Sequence, residues 1–183
     1  MINQHSAEKP HWFYTARIAL VLVAIMVAPG LFAASWEYMN ETTLSWRTYG
    51  KKTYDEAKKL DRPLFVFIYA DWCKWCKKFE KETLETPKIR KLLQDKYIPV
   101  TVNYDKQPKL AKQLGAKLVP TVVLIAPNNE KLLRFYGFLE KEDLADTLEQ
   151  TMMAWRKGEL PDKEVREFGE AETCCPLVKP KEN

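Results

Sequence analysis

The sequence predicts an α/β fold in which a central mixed β-sheet is flanked by helices and preceded by an N-terminal signal or anchor segment. Two observations carry that prediction. Leu64 to Tyr69 (LFVFIY) is an unbroken apolar run, as a strand covered on both faces requires. Around it, apolar residues at helical spacing alternate with short β-branched runs, the last two joined as a hairpin at Asn128-Asn129. A chain of 183 residues suffices for one domain with a hydrophobic core plus peripheral sequence. Its 29 basic residues are interleaved with 25 acidic ones, so the net charge of +4 makes no basic stripe, and no nucleic-acid partner is expected.

The elements follow in chain order. Ile18 to Ala28 (IALVLVAIMVA) has no polar side chain; Lys9 and Arg17 precede it and Pro29-Gly30 break it. That is the layout of a secretory signal, with Ala33 and Ser35 as the small pair before a cut ahead of Trp36. An uncleaved anchor is the alternative, because Ile18 to Ala34 is just long enough to span a bilayer. Both readings put the remainder outside the cytoplasm, periplasmic in a bacterium, secreted or tethered to the inner membrane through residues 18–34. Residues 36–53 form a lead-in with a short strand near Trp46–Tyr49. Tyr54, Ala57 and Leu60 then mark a helix that Arg62-Pro63 ends.

After the Leu64–Tyr69 strand, a helix runs from Cys73 to about Leu84 with Phe79 and Thr83 inward. Ile89, Leu92 and Leu93 mark a short helix and Ile98–Asn103 a second strand. Leu110, Ala111 and Leu114 mark another helix, closed by Gly115. Val119-Pro120-Thr121 opens a third strand, whose antiparallel partner is Lys131–Phe135. Leu144, Leu148, Met152 and Trp155 share one face of the last long helix. Pro161–Phe168 is read as one more short helix, and the charges and prolines from Gly169 onward as a tail. The segments are thus 1–35 signal or anchor, 36–53 lead-in, 54–157 the α/β domain, and 158–183 an extension expected to be mobile.

The chemistry is expected at Cys73 and Cys76. Only the thiolate is a good nucleophile, and a cysteine in the first turn of a helix has its pKa lowered from roughly 8.5 by the helix dipole and free N–H groups. Lys74, Lys77 and Lys78 add positive potential. Cys76 lies almost one turn later, within reach of a disulfide with Cys73. The expected cycle is attack by Cys73 on a partner disulfide, a mixed disulfide, and displacement by Cys76. Half of a zinc site is the structural alternative for such a pair. The remaining cysteines, Cys174-Cys175, are adjacent and awkward for a tetrahedral site, so no metal is expected. No cofactor is expected beyond a redox-active Cys73–Cys76 disulfide.

Tyr69-Ala70-Asp71-Trp72-Cys73-x-x-Cys76-Lys77-x-Phe79-Glu80-Lys81 resembles the thioredoxin superfamily, and in particular the carboxy-terminal periplasmic domain of thiol:disulfide interchange reductases of the DsbD type. The similarity runs from about Tyr54 to Trp155. It implies a thioredoxin fold and a cis peptide before Pro120, with that loop against Cys73 and the Val119 backbone offered to an extended substrate. A trans proline at a strand's first residue is the plainer reading of Pro120. One departure from the family is Phe67, where relatives carry a buried aspartate that helps the resolving cysteine ionise. Glu80, one turn after Cys76, is the candidate substitute; a solvated helix carboxylate is its plainer reading. The membrane portion of those reductases is a second departure. Electrons are therefore expected through a separate membrane thiol reductase, with disulfide-containing proteins as substrates.

Trp72 and Trp75 flank the cysteines and are expected to form an apolar docking rim, unless one packs beneath the loop. Cys174-Cys175 is read as an incidental or intermolecular disulfide, with a second redox pair or a soft-metal ligand as alternatives. The leading function is reduction of protein disulfides in an oxidising compartment. The alternatives are a dedicated reductant for cytochrome c or copper-protein maturation and a non-catalytic binding module.

Overall fold

A run with no polar break leaves a strand no solvent face, and Leu64–Tyr69 accordingly lies inside the sheet. In the computed structural model, which describes residues 44–159, 166–169 and 171–177, this strand is β2 and its first five residues are buried. It pairs in parallel with β3 (Ile98–Asn103) on one side and antiparallel with β5 (Thr121–Ile125) on the other. The lead-in strand β1 (Arg47–Thr48) adds in parallel to the outer edge of β3. Beyond β5, the strand β6 (Lys131–Tyr136) returns antiparallel through the expected turn, with Asn129 at φ 72°. The mixed sheet therefore has the order β1-β3-β2-β5-β6-β7, where β7 is Arg166–Gly169.

Helix α1 (Lys51–Leu60) buries Thr53 and Ala57. Leu60 was expected inward but is 45% exposed, because the helix stops there and Asp61 turns into the left-handed region. Helix α2 (Lys74–Phe79) continues into a wider π-helical turn, Glu80–Leu84. Phe79 is the centre of the packing beneath the site. Its ring meets Phe67, Phe135 and Phe138 edge-on at centroid separations of 5.8, 6.3 and 6.1 Å. Truncating a fully buried ring of this kind to Ala costs about 3–5 kcal/mol. Helices α3 (Pro87–Lys96) and α4 (Pro108–Gln113) each carry proline in the first turn, where no N–H is missed. The long helix α5 (Lys141–Lys157) buries Leu144 and Leu148, and Gly158 closes it at φ 69°.

The C-terminal extension differs from the expected helix and tail. Residues 160–165 lie outside the described ones. Arg166–Gly169 forms strand β7, parallel to β6, where a helix was expected. Gly169 sits at φ 138°, and a Cβ there would lie 2.2 Å from the Tyr136 carbonyl oxygen, so only glycine fits this approach. A short 3₁₀ turn, Ala171–Thr173, then leads to β8 (Cys175–Pro176), which pairs antiparallel with β4 (Leu118–Val119) in a separate two-stranded ladder. We call residues 166–169 and 171–177 the strap. Hydrogen bonding to two different strands, which no local periodicity announces, accounts for this structure. The expected signal or anchor, 1–35, lies outside the described residues. Among those described, no helix is long and apolar enough to cross a membrane.

Candidate functional site

The site forms where β2 ends and α2 begins. Cys73 caps α2, and its sulfur accepts the backbone N–H of Cys76 at 3.2 Å. The stretch just before the cap is anchored from the end of β3. Asn103 Nδ2 donates to Asp71 Oδ1 at 3.1 Å, while Asn103 Oδ1 accepts the N–H groups of Asp105 and Lys106. Trp72 Nε1 donates to Asp105 Oδ1 at 3.1 Å, so the tryptophan is held sideways by the same loop. Asn103 and Asp105 had not been singled out in the sequence. An asparagine ending a strand with an aspartate two residues on is the Asx-turn pattern that marks them.

The peptide bond between Val119 and Pro120 is cis, as the resemblance implied. The Val119 carbonyl accepts from the Cys73 thiol at 3.4 Å, placing this loop directly on the sulfur. Trp75 is half-buried and packs against Phe138 at 6.3 Å, with the Lys78 ammonium 5.2 Å from the Trp75 ring and 4.4 Å from that of Phe138. Trp72 is also half-buried, so each tryptophan packs on one side and meets solvent on the other.

The two site thiols are displaced in opposite directions. Cys73 is lowered to about 6, first by the hydrogen bond from the Cys76 thiol. Burial opposes the shift; the Cys175 thiol and the backbone N–H groups of Cys76 and Trp75 add to it. These hydrogen bonds, rather than the lysines, are the leading causes. Cys76 is strongly raised, first by burial and then by Cys73, and Cys175 adds its charge in the same direction. No carboxylate figures among the groups that shift Cys76. Glu80 is exposed, and its own pKa is raised by desolvation and then by Glu85. The structure thus brings Cys73, Cys76, Val119 and Pro120 together and leaves Glu80 exposed just past the end of α2. Phe67 fills the position of the family's buried acid as a 2% exposed ring, stacked on Tyr69 at 5.6 Å.

One residue at the centre was not expected there. Cys175, on β8, lies in register with Val119, whose carbonyl accepts from the Cys73 thiol, and the Cys175 thiol helps to lower the pKa of Cys73. The Val119 edge expected to face a substrate is occupied by the chain's own strap.

A dithiol at a helix N-terminus, facing a cis-proline loop on a mixed sheet of this order, defines a thioredoxin-type thiol–disulfide oxidoreductase. The comparisons agree: residues 50–152 match the thioredoxin-like domain family, and the chain belongs to it. It is 28% identical over 148 residues to the thiol:disulfide interchange protein DsbD of Escherichia coli strain K12, an alignment covering 73% of this chain and 26% of that protein. The same protein from Shigella flexneri matches equally. The chain therefore spans about a quarter of the length of these relatives. Among solved structures, a thioredoxin from Thermus thermophilus superposes with a TM-score of 0.54 at 21% identity, covering 61% of this chain and 90% of that one. A DsbH oxidoreductase gives 0.55 at 20%, covering 61% and 85%. At these identities the likeness is one of fold.

Proposed function

We propose that this protein reduces disulfides in other proteins outside the cytoplasm, with Cys73 as the attacking thiol and Cys76 as the resolving one. The observation that carries the reading is the Cys73 sulfur at the cap of α2, hydrogen-bonded by the Cys76 N–H and set against the Val119 carbonyl. The Cys73 thiolate attacks one sulfur of a substrate disulfide and the other sulfur departs as a thiolate. Cys76 then attacks the Cys73 sulfur, releasing the second substrate thiolate and leaving a Cys73–Cys76 disulfide. Two electrons pass from the dithiol to the substrate. With Phe67 in place of an acid, the Cys76 proton goes to the departing substrate thiolate. A membrane thiol reductase, a partner suggested by the likeness to the interchange proteins, restores the dithiol.

Trp72 and Trp75 form the rim on which a substrate docks, and an extended substrate segment pairs with the backbone of Val119. Export rests on the Ile18–Ala28 run behind Lys9 and Arg17. Fused to residues 1–40, a reporter active only after export should give signal; a silent fusion would remove the localisation. The direction of electron flow is tested by equilibrating the protein with reduced and oxidised glutathione. A reductase should sit more negative than about −200 mV, whereas a value near about −120 mV belongs to an oxidant and would overturn the reading.

A further inference from the structure

Cys73 must meet a substrate sulfur, yet it is 0% exposed. Part of the cover is the strap. Its β8 runs antiparallel along β4, with Cys175 opposite Val119 and Pro176 opposite Leu118. The strap is fastened on both sides of that contact. Upstream, the Phe138 N–H donates to Thr173 Oγ1 at 3.1 Å, and Gly169 makes the close approach to Tyr136 that a side chain would forbid. Downstream, Leu177 is half-buried against the core. Cys175 itself is 8% exposed, and it lies opposite Val119, whose carbonyl oxygen is 3.4 Å from the Cys73 sulfur. Cys174 is half-buried, and its pKa is raised first by burial and then by the charge of Cys73.

This arrangement places a cysteine of the chain where an extended substrate would present its own. We propose that Cys175 is a third redox-active thiol, seated in the substrate groove, which forms an intramolecular disulfide with Cys73. The inference rests on Cys73 being the nucleophile. The Cys73 thiolate attacks a substrate disulfide and the first substrate thiolate leaves. Cys175 then attacks the Cys73 sulfur, forms Cys73–Cys175, loses its proton to the departing second thiolate and releases it. The substrate gains two electrons and the Cys73–Cys175 pair loses two. Attack by Cys76 on Cys73 converts this bond to Cys73–Cys76 and returns Cys175 as a thiol, with no further oxidant. A protein substrate must lift β8 from β4 before pairing with Val119, so the strap competes with substrates. A small disulfide needs only a route to the sulfur.

The test uses the full-length chain with Cys76→Ser, reduced, then treated with one equivalent of oxidised glutathione, alkylated in acid and mapped by mass spectrometry. The expected product is a monomer carrying Cys73–Cys175 as its major disulfide, retained when Cys174→Ser is added. Adding Cys175→Ser instead should remove it and leave glutathione on Cys73. Glutathione held on Cys73 in the single variant, with Cys175 alkylated, would overturn the third thiol while leaving Cys73 as nucleophile. A Cys174–Cys175 disulfide with glutathione on Cys73 would overturn it in the same way. If Cys73 carries no disulfide in any variant, the nucleophile assignment falls with it. Cys76→Ala replaces the serine variant if that one fails to fold.

Discussion

The dithiol turn and the strap meet at one sulfur but are held by different physics. Residues 64–79 are a buried strand leading straight into a helix, so Cys73 and Cys76 are fixed by local hydrogen bonds and by Phe79 in the core. The strap has two short strands on two different partners, with a threonine hydroxyl tied to the Phe138 N–H and Leu177 against the core. A ladder of two residue pairs is marginal alone. The contrast teaches that one side of the site is rigid and the other releasable. That suits the proposed nucleophile, Cys73, which is fully covered and must be reached in turnover.

The largest effects fall on the rigid side. Cys73→Ser should abolish disulfide reduction, by at least about a thousandfold, since no other group can take over a nucleophile's bond-forming role. Turnover of a generic disulfide substrate checks this, and retained activity would break the contrast at its root. Cys76→Ser should slow turnover less than Cys73→Ser does, because Cys175 can still resolve the mixed disulfide. Partner proteins should accumulate on Cys73 more in Cys76→Ser/Cys175→Ser than in Cys76→Ser, because the single variant keeps an internal resolving thiol. Equal trapping would make the strap inert.

On the releasable side, Gly169→Ala puts a methyl against the Tyr136 carbonyl at a φ that L-residues resist, a strain on the order of 1–2 kcal/mol or more. It should loosen the strap and speed alkylation of Cys73 by several-fold, with the melting of the core little changed. An unchanged alkylation rate would mean that the strap covers nothing. Cys175→Ala should raise the Cys73 pKa by a smaller step, because a thiol that lowers it is removed. Glu80→Gln should do least. The residue is exposed and absent from the causes of the Cys76 shift, so decay of a mixed disulfide should stay within about twofold of the parent. A tenfold slowing would restore Glu80 as the proton acceptor.

The same division governed what the sequence could reveal. Leu64–Tyr69, the cysteine pair and the Asn128-Asn129 turn are local patterns, and their elements lie where the pattern puts them. The cis bond before Pro120 came from resemblance rather than from any local pattern. The strap was illegible for a physical reason. Arg166–Gly169 and Cys175–Pro176 are too short to show a period, and each takes its conformation from a strand dozens of residues upstream. Cysteines in such a segment look incidental until the pairing sets one beside Cys73. Phe67 was legible as a departure from the family, but its consequence was not. The rings of Tyr69 and Phe79 pack around it, and Cys76 is raised by burial with no carboxylate among the groups that shift it.

The shift at Cys73 also enters stability. Its folded value of about 6 lies below the ordinary 9.0, so between them the unfolded chain binds more protons. The reduced protein should therefore gain stability against denaturant as pH rises from 6 towards 9. Above that, the raised pKa values of Cys76 and Cys175 oppose the gain, because both thiols ionise more readily when unfolded.

The most direct test of the account is the ionisation of Cys73 itself, followed by thiolate absorbance in the reduced chain with Cys73→Ser as the blank. The account predicts a titration centred near 6 that the blank lacks. A midpoint near the ordinary 9.0, or an early titration that survives in Cys73→Ser and vanishes in Cys76→Ser, would contradict it.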